Sequence, residues 1–242
     1  MVTAREAHGA RKERERMAGK NVEFPANGKT CKGYLAVPEG GAKGPGLLVI
    51  QEWWGLVDHI REVTDRFAQA GYVALAPDLY HGDTTKSPDE AGRKMMALDI
   101  DQTAKDLVGA ADFLLAQGEC DPKRVAAIGF CMGGQLALYA GSLHPQVSAV
   151  VDFYGIHPEV KPDFDSMKAK VLCHFGKDDG FVAKEDAEAL VKKMEDSGVD
   201  VTAHFYDAGH AFFNDSRPDA YDQESANQAW QRTIDFLSAL RA

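Results

Sequence analysis

The sequence lacks several features that mark broad classes of protein. No apolar run approaches the roughly 20 residues of a membrane-spanning helix. The charged start of the chain is not followed by the apolar stretch of a secretory signal peptide. Basic residues are outnumbered, 27 to 37, which gives a net charge of -10. Because nucleic acids and membrane surfaces bind clustered cations, neither is expected as a partner, and a cytoplasmic location is expected.

Cysteine is also scarce, and its spacing carries no known motif. The four cysteines are Cys31, Cys120, Cys131 and Cys173, and no pair has Cys-x-x-Cys spacing. No group of His and Cys residues has the spacing of metal ligands, so neither a metal nor another cofactor is expected. Without a secretory signal, free thiols are expected rather than disulfides.

What the chain does contain is the pattern of one globular α/β domain. Hydrophobic residues make up 45% of it and aromatic residues 9%, which excludes a mainly disordered chain. Residues 1–20 are rich in charge and are predicted to form a flexible arm, and residues 21–242 are predicted to form a single domain. Apolar strands alternate with amphipathic helices, which predicts a mostly parallel central sheet with helices on both faces. Predicted strands are 22–24, 34–37, 46–50, 72–76, 125–129, 149–153, 171–175 and 201–206, and predicted helices are 60–70, 104–115, 134–140, 187–194 and 226–240.

The most informative segment follows the predicted strand at 125–129. The run Gly129-Phe130-Cys131-Met132-Gly133 has the G-x-nucleophile-x-G pattern of a nucleophile elbow, with Cys in the place of Ser. Glycines are needed there because the strand turns so sharply into the helix that side chains would collide. We therefore predict Cys131 as a nucleophile, activated in part by the positive potential of the helix N-terminus. The alternative is a buried cysteine in a glycine-rich turn.

An elbow nucleophile requires an acid and then a histidine later in the chain. His210 follows the predicted strand at 201–206 and is the candidate general base. Asp178 and Asp179 both follow the strand at 171–175. We expect Asp179 to orient the imidazole. The other aspartate would be a turn residue. The alternative for His210 is a solvated loop residue.

The loop after the strand at 46–50 reads Gln51-Glu52-Trp53-Trp54-Gly55. This loop supplies the second oxyanion donor in elbow enzymes, so the backbone amides of Trp53 and Met132 are predicted to form the oxyanion hole. The two indole rings would wall an apolar acyl pocket. The alternative is a loop carboxylate beside two surface aromatic residues.

With these pieces in order, the chain resembles the dienelactone hydrolases, or carboxymethylenebutenolidases, of the α/β-hydrolase fold. The matching motifs are QEWWG at 51–55, APDLY at 76–80, GFCMGG at 129–134, GKDDGFV at 176–182 and GHAFFND at 209–215. The resemblance implies a triad of Cys131, His210 and Asp179. It also implies that Glu52 hydrogen-bonds the resting thiol, which should slow its alkylation. The substrate-binding candidates are Trp54, Tyr80, His81, Phe212, Asn214 and Arg217.

The sequence departs from the family pattern at the residues that bind the substrate carboxylate. Members from chlorocatechol pathways hold that group with two arginines, but here the residues after Tyr80 are His81-Gly82, and the position four past His210 is Asn214. Arg217 or His81 are the alternative cations. We predict a cysteine hydrolase of a small ester or lactone that forms an acyl-enzyme. Alternatives are a thioesterase or general carboxylesterase on the same triad, or a non-catalytic ligand-binding or redox-sensing protein. The oligomeric state is not readable from the sequence.

Overall fold

The computed structural model describes residues 19–26, 28–155 and 157–241. Most of the predicted arm therefore lies outside the described residues, and Lys20 already belongs to the first strand. The strands are β1 (Lys20–Ala26), β2 (Lys29–Ala36), β3 (Gly44–Ile50), β4 (Val73–Pro77), β5 (Cys120–Phe130), β6 (Val147–Phe153), β7 (Lys170–Gly176) and β8 (Val201–Tyr206). The helices are α1 (Asp58–Gln69), α2 (Pro88–Met96), α3 (Ile100–Ala116), α4 (Met132–Leu143), α5 (Lys184–Asp196) and α6 (Gln223–Ser238). Short 3-10 turns occupy Glu39–Gly41 and Ala239–Arg241.

The eight strands form one sheet in the order β1-β2-β4-β3-β5-β6-β7-β8. β2 pairs antiparallel with both β1 and β4, and every other neighbouring pair is parallel. Helices connect β3 to β4, β4 to β5, β5 to β6 and β7 to β8, whereas the described residues between β6 and β7 contain no helix. The carboxyl ends of β3, β5, β6, β7 and β8 therefore meet at one edge, where open α/β sheets hold their ligands.

Two hydrophobic cores lie on opposite faces of this sheet. Successive side chains of β3 alternate between them: Leu47 packs into one core and Leu48 into the other. The first core contains residues of α1 and α6, and the second contains residues of α3, α4 and α5. The predicted fold class, an α/β sheet with helices on both faces, is confirmed.

Three elements differ from the sequence prediction by five residues or more: α2, β5, and β2, which begins at Lys29 rather than at 34. α2 was not predicted, because it is short and Ala91 is its one buried residue. Its start was nevertheless readable: Ser87 caps the helix by accepting a hydrogen bond from the Glu90 amide, and Pro88 occupies the first turn. β5 begins at Cys120 rather than at 125, since Cys120 pairs with Gly44 of β3.

No helix in the described ranges is long and apolar enough to cross a membrane.

One buried carboxylate, Asp152 of β6, has little to balance its charge. It is fully buried, and its Oδ1 accepts a hydrogen bond from the Gly155 amide at 2.8 Å. Its Oδ2 has no hydrogen-bond partner among the described residues. Burial raises the pKa of Asp152 to about 7, against the opposing effect of the Gly155 amide.

This raised pKa predicts a pH-dependent cost in stability. The folded state binds a proton that the unfolded state releases, so stability falls as pH rises from about 4 to about 7. Asp152→Asn keeps an acceptor for Gly155 and removes the titration. The free energy of unfolding of the variant should rise relative to that of the wild type as pH rises, by up to about 4 kcal/mol at pH 8. Urea unfolding of both proteins at pH 5 and pH 8 measures this, and an equal difference at the two pH values would contradict it.

Candidate active site

Cys131 stands at the sharp turn between β5 and α4. Its backbone has φ 55° and ψ -127°, a conformation that L-residues rarely adopt. The turn is tight enough that a Cβ on Gly129 would collide with the Gly133 carbonyl, and one on Gly133 would collide with the carbonyls that end β3. Both glycines of the motif are therefore required by close backbone contacts. The strained residue is held by its amide, which donates to the Phe153 carbonyl at 3.0 Å.

The acid and the histidine reach this turn from the loops that follow β7 and β8. Nδ1 of His210 lies 2.8 Å from Oδ2 of Asp179. The other oxygen of Asp179 accepts hydrogen bonds from the amides of Phe181 and Val182, at 2.7 and 2.9 Å. Asp179, not Asp178, is thus the carboxylate that faces the imidazole, and its orientation is fixed by its own loop.

The imidazole of His210 has an unusual protonation state. Burial by itself would lower its pKa, but hydrogen bonds with Asp179 and Cys131 outweigh burial and raise the pKa to about 10. His210 is therefore a cation at neutral pH, and it is close enough to Cys131 for the two side chains to interact.

Glu52 is buried beside these groups but has a different partner from the one that the family resemblance implies. Its Oε2 accepts a hydrogen bond from Nδ2 of Asn214 at 2.8 Å, and Asn214 is in turn held by the amide and hydroxyl of Ser216. Burial raises the pKa of Glu52, while His210, the Asn214 hydrogen bond and Arg217 oppose the rise. The described side chains of Glu52 and Cys131 share no hydrogen bond. Asn214 therefore orients Glu52.

The backbone amides predicted for the oxyanion hole are adjacent in the fold. Met132 begins α4, so its amide has no acceptor one turn earlier within the helix. Trp53 follows β3, whose last carbonyls lie against Gly133 of the same turn. Within the described part of the chain, neither amide donates to another protein group. Both remain available to a negatively charged oxygen.

Aromatic rings and one cation form a connected group beside the His210 imidazole. The rings of Trp53 and Trp54 contact edge to face at 5.1 Å, and Phe181 contacts Trp53 at 5.8 Å and His210 at 4.9 Å. Phe181 is 66% exposed, an unusual state for a phenylalanine, and sequence analysis did not select it. The guanidinium of Arg217 lies 5.8 Å from the Trp54 ring centre. These groups could bind an acyl chain together with an acidic group.

The remaining predicted binding residues lie in three different environments. The Tyr80 hydroxyl contacts Sδ of Met132 at 3.4 Å, and burial, with Cys131 nearby, raises the pKa of Tyr80. Nε2 of His81 lies 3.0 Å from Asp106 of α3 and contacts none of the triad. Phe212 is fully buried, with its ring packed on other aromatic rings of the core. Of these three, Tyr80 is the one beside the thiol.

Tyr154 is a neighbour of the triad that sequence analysis missed. It is fully buried at the end of β6, has φ 43°, and its ring lies 4.9 Å from that of His210. Burial raises its pKa well above the usual value, and the charges of Glu52, Cys131 and Asp179 add to the effect. Its position directly after a parallel strand, at the edge that carries the other site residues, was the available signal.

The described residues contain one group of potential metal ligands, Cys31, His81 and Asp106, and it includes no member of the triad. The strand, elbow and helix with the thiol, imidazole and carboxylate at one sheet edge define an α/β-hydrolase.

Comparison with known proteins gives the family. A sequence model of the dienelactone hydrolase family matches residues 31–240. "Protein usf" of Aquifex pyrophilus is 40% identical over 229 residues, covering 90% of this chain and 97% of that protein. The solved structure "m3DLH" is 30% identical with a TM-score of 0.85, covering 94% of this chain and all (100%) of that one. A dienelactone hydrolase-like promiscuous phosphotriesterase from metagenomic libraries is 28% identical with a TM-score of 0.83, covering 94% and 100%.

The chain belongs to the dienelactone hydrolase family, whose members are hydrolases with the α/β-hydrolase fold. The predicted family and enzyme class are confirmed.

The proximity of His210 to Cys131 predicts a thiol that is reactive before substrate binds. Cys131 should react with iodoacetamide faster than a free cysteine does at pH 7, because the positive charge of His210 stabilises the negative charge on the attacking sulfur. His210→Gln removes this charge and should slow the reaction about tenfold. Peptide mass spectrometry reads each cysteine separately.

Cys31, Cys120 and Cys173 are buried and serve as internal controls that should remain unmodified. Slow alkylation of wild-type Cys131, unchanged by His210→Gln, would favour a resting thiol held by Glu52 instead.

Proposed function

We propose that the chain hydrolyses an ester or lactone of a small molecule through an acyl-enzyme on Cys131. The observation that carries this proposal is the His210 imidazole, which is hydrogen-bonded to Asp179 at 2.8 Å and is close enough to Cys131 for the two side chains to interact. This order of a thiol, an imidazole and a carboxylate supports the proposal, because nucleophilic catalysis requires a base beside the nucleophile and an acid that orients the base.

In the first half of the reaction, the Cys131 thiolate attacks the carbonyl carbon and forms the new C–S bond. The carbonyl electron pair moves to the oxygen, which the amides of Trp53 and Met132 stabilise. When the tetrahedral intermediate collapses, the C–O bond breaks, and the proton on Nε2 of His210 passes to the departing alkoxide. For a lactone, the alkoxide stays attached to the acyl group.

The second half of the reaction cleaves the thioester. The imidazole, now neutral, takes a proton from a water molecule that attacks the acyl carbon. The C–S bond breaks, the acid product leaves, and the thiolate and imidazolium are restored. Asp179 keeps Nδ1 protonated throughout, because its Oδ2 accepts from that nitrogen.

Removing either reacting group tests the proposal. Cys131→Ala should abolish hydrolysis of p-nitrophenyl acetate, and His210→Ala should lower kcat/KM by about 10²–10⁴-fold. Cys120→Ala and His204→Gln change the same residue types outside the triad and should retain activity. Acid quenching during turnover should trap an acetyl group on the Cys131 peptide. Full activity in both triad variants would refute the proposed nucleophile and base, and a wild type without hydrolytic activity would leave a binding or redox role.

Arg217 supports a substrate that carries its own carboxylate. Asn214, at the family's arginine position, is buried against Glu52. Arg217 is instead a cation near the site: it lies over Trp54, pairs with the exposed Asp219, and partly opposes the effect of burial that raises the pKa of Glu52. With the chain's net charge of -10, an anionic substrate needs such a local cation.

A substrate panel with two Arg217 variants tests this assignment. Arg217→Ala should raise KM for a carboxylate-bearing lactone about tenfold or more, and leave KM for a neutral aryl ester within about twofold. Arg217→Lys keeps the positive charge and should raise KM for that lactone by less. Equal losses on both substrates would limit Arg217 to packing against Trp54. An acyl thioester belongs in the panel, because a higher kcat/KM on it than on either ester would assign thioesterase activity to the same triad.

A further inference from the structure

A thiol, an imidazole and a carboxylate meet near the loop after β4, and the proposed reaction uses none of them. Cys31 comes from β2, His81 from the loop after β4, and Asp106 from α3. One possible ligand atom from each lies within 4.8 Å of the other two. These residues are 50 and 25 positions apart along the chain (31 to 81 and 81 to 106), so their spacing gives no metal motif.

We propose that Cys31, His81 and Asp106 bind one divalent ion of the zinc class, separate from the catalytic triad. Thiolate and imidazole ligands favour such borderline ions over magnesium or calcium, which prefer oxygen alone. A neutral site results when the thiolate and carboxylate charges meet a dication.

The carboxylate of Asp106 is buried and oriented so that it could bind a cation. Its side chain is 1% exposed, and Oδ1 is fixed by a hydrogen bond from Nε2 of Gln102 at 2.9 Å. Oδ2 lies 3.0 Å from Nε2 of His81, but that contact lacks the angle of a hydrogen bond, and no other described group donates to Oδ2. A buried carboxylate oxygen without a donor is costly unless a cation occupies the position that it faces.

The distances between the three ligand atoms also fit a tetrahedral ion after one small movement. Bonds of about 2.0–2.3 Å to a tetrahedral ion place the ligand atoms roughly 3.3–3.7 Å apart. The Nε2–Oδ2 separation of 3.0 Å is already close to this value, and the sulfur must approach by about 1 Å. His81 can move, because its side chain is 43% exposed, and on binding the Cys31 proton passes to solvent.

One of the three proposed ligands faces a cavity. His81, together with Tyr80 and Gln102, lines a space of about 480 Å³, whereas Cys31 and Asp106 lie behind it. Water can therefore reach the ion from the His81 side as a fourth ligand. The backbone of His81 has φ 54°, a strained state of the kind that collects at functional sites. An ion here would tie the loop that carries Tyr80 to β2 and α3.

Cobalt substitution tests the proposal, because a thiolate bound to Co²⁺ gives a near-ultraviolet charge-transfer band. The chelator-stripped full chain should bind one Co²⁺ with this band, and Zn²⁺ should displace it. Cys31→Ser should abolish the band, and His81→Gln and Asp106→Asn should weaken binding at least about tenfold. His81→Gln changes a partly exposed side chain and Asp106→Asn is isosteric, so thermal unfolding without metal should show both folded.

The matched control is Cys131→Ser, which removes the one cysteine that is not buried and should keep the full band. Zn²⁺ should raise the Tm of the wild type and of Cys131→Ser equally, and that of His81→Gln by less. The proposal is overturned if the wild type gives no charge-transfer band, or if the band disappears in Cys131→Ser and persists in Cys31→Ser. Neither result depends on hydrolytic activity, so the triad and this site are tested independently.

Discussion

The sharp turn from β5 into α4 is the constraint on which the arrangement of the site depends. It holds Cys131 at φ 55° and keeps the first amide of α4 free. The turn exists because Gly129 and Gly133 allow backbone atoms to approach within distances that any side chain would block. A sheet whose parallel strands end at one edge then brings the loops of β3, β7 and β8 to the same point.

The site also depends on the balance of buried charge around that turn. Two carboxylates, a thiol and a tyrosine hydroxyl surround one imidazole, and the environment favours a proton on the imidazole. Burial alone would neutralise His210, so its charge depends on the contacts with Asp179 and Cys131. Asn214 stabilises Glu52 in a comparable way, since it supplies the hydrogen-bond donor that a buried carboxylate needs. Changes to the partners therefore act on the reacting groups through their protonation.

Most of the fold was predictable because its strands read as continuous apolar runs between amphipathic helices. α2 was not, since it buries too little for its periodicity to be visible. In the site, the order of thiol, acid and histidine was predictable from motifs, and the family resemblance selected Asp179. The partner of Glu52, the burial of Phe212 and the contribution of Tyr154 were not, because each depends on packing between distant segments.

The sequence by itself determined the sheet and its helices, the elbow with Cys131, and the chain's place in the dienelactone hydrolase family. These follow from local patterns: apolar periodicity, paired glycines, and short motifs in a fixed order. The tertiary structure alone decided which side chains touch. It separated His81 from the triad and joined it to Cys31 and Asp106, and it gave Arg217 the position over Trp54. Contacts of this kind are set where strands and loops far apart in the chain converge, and no local pattern records them.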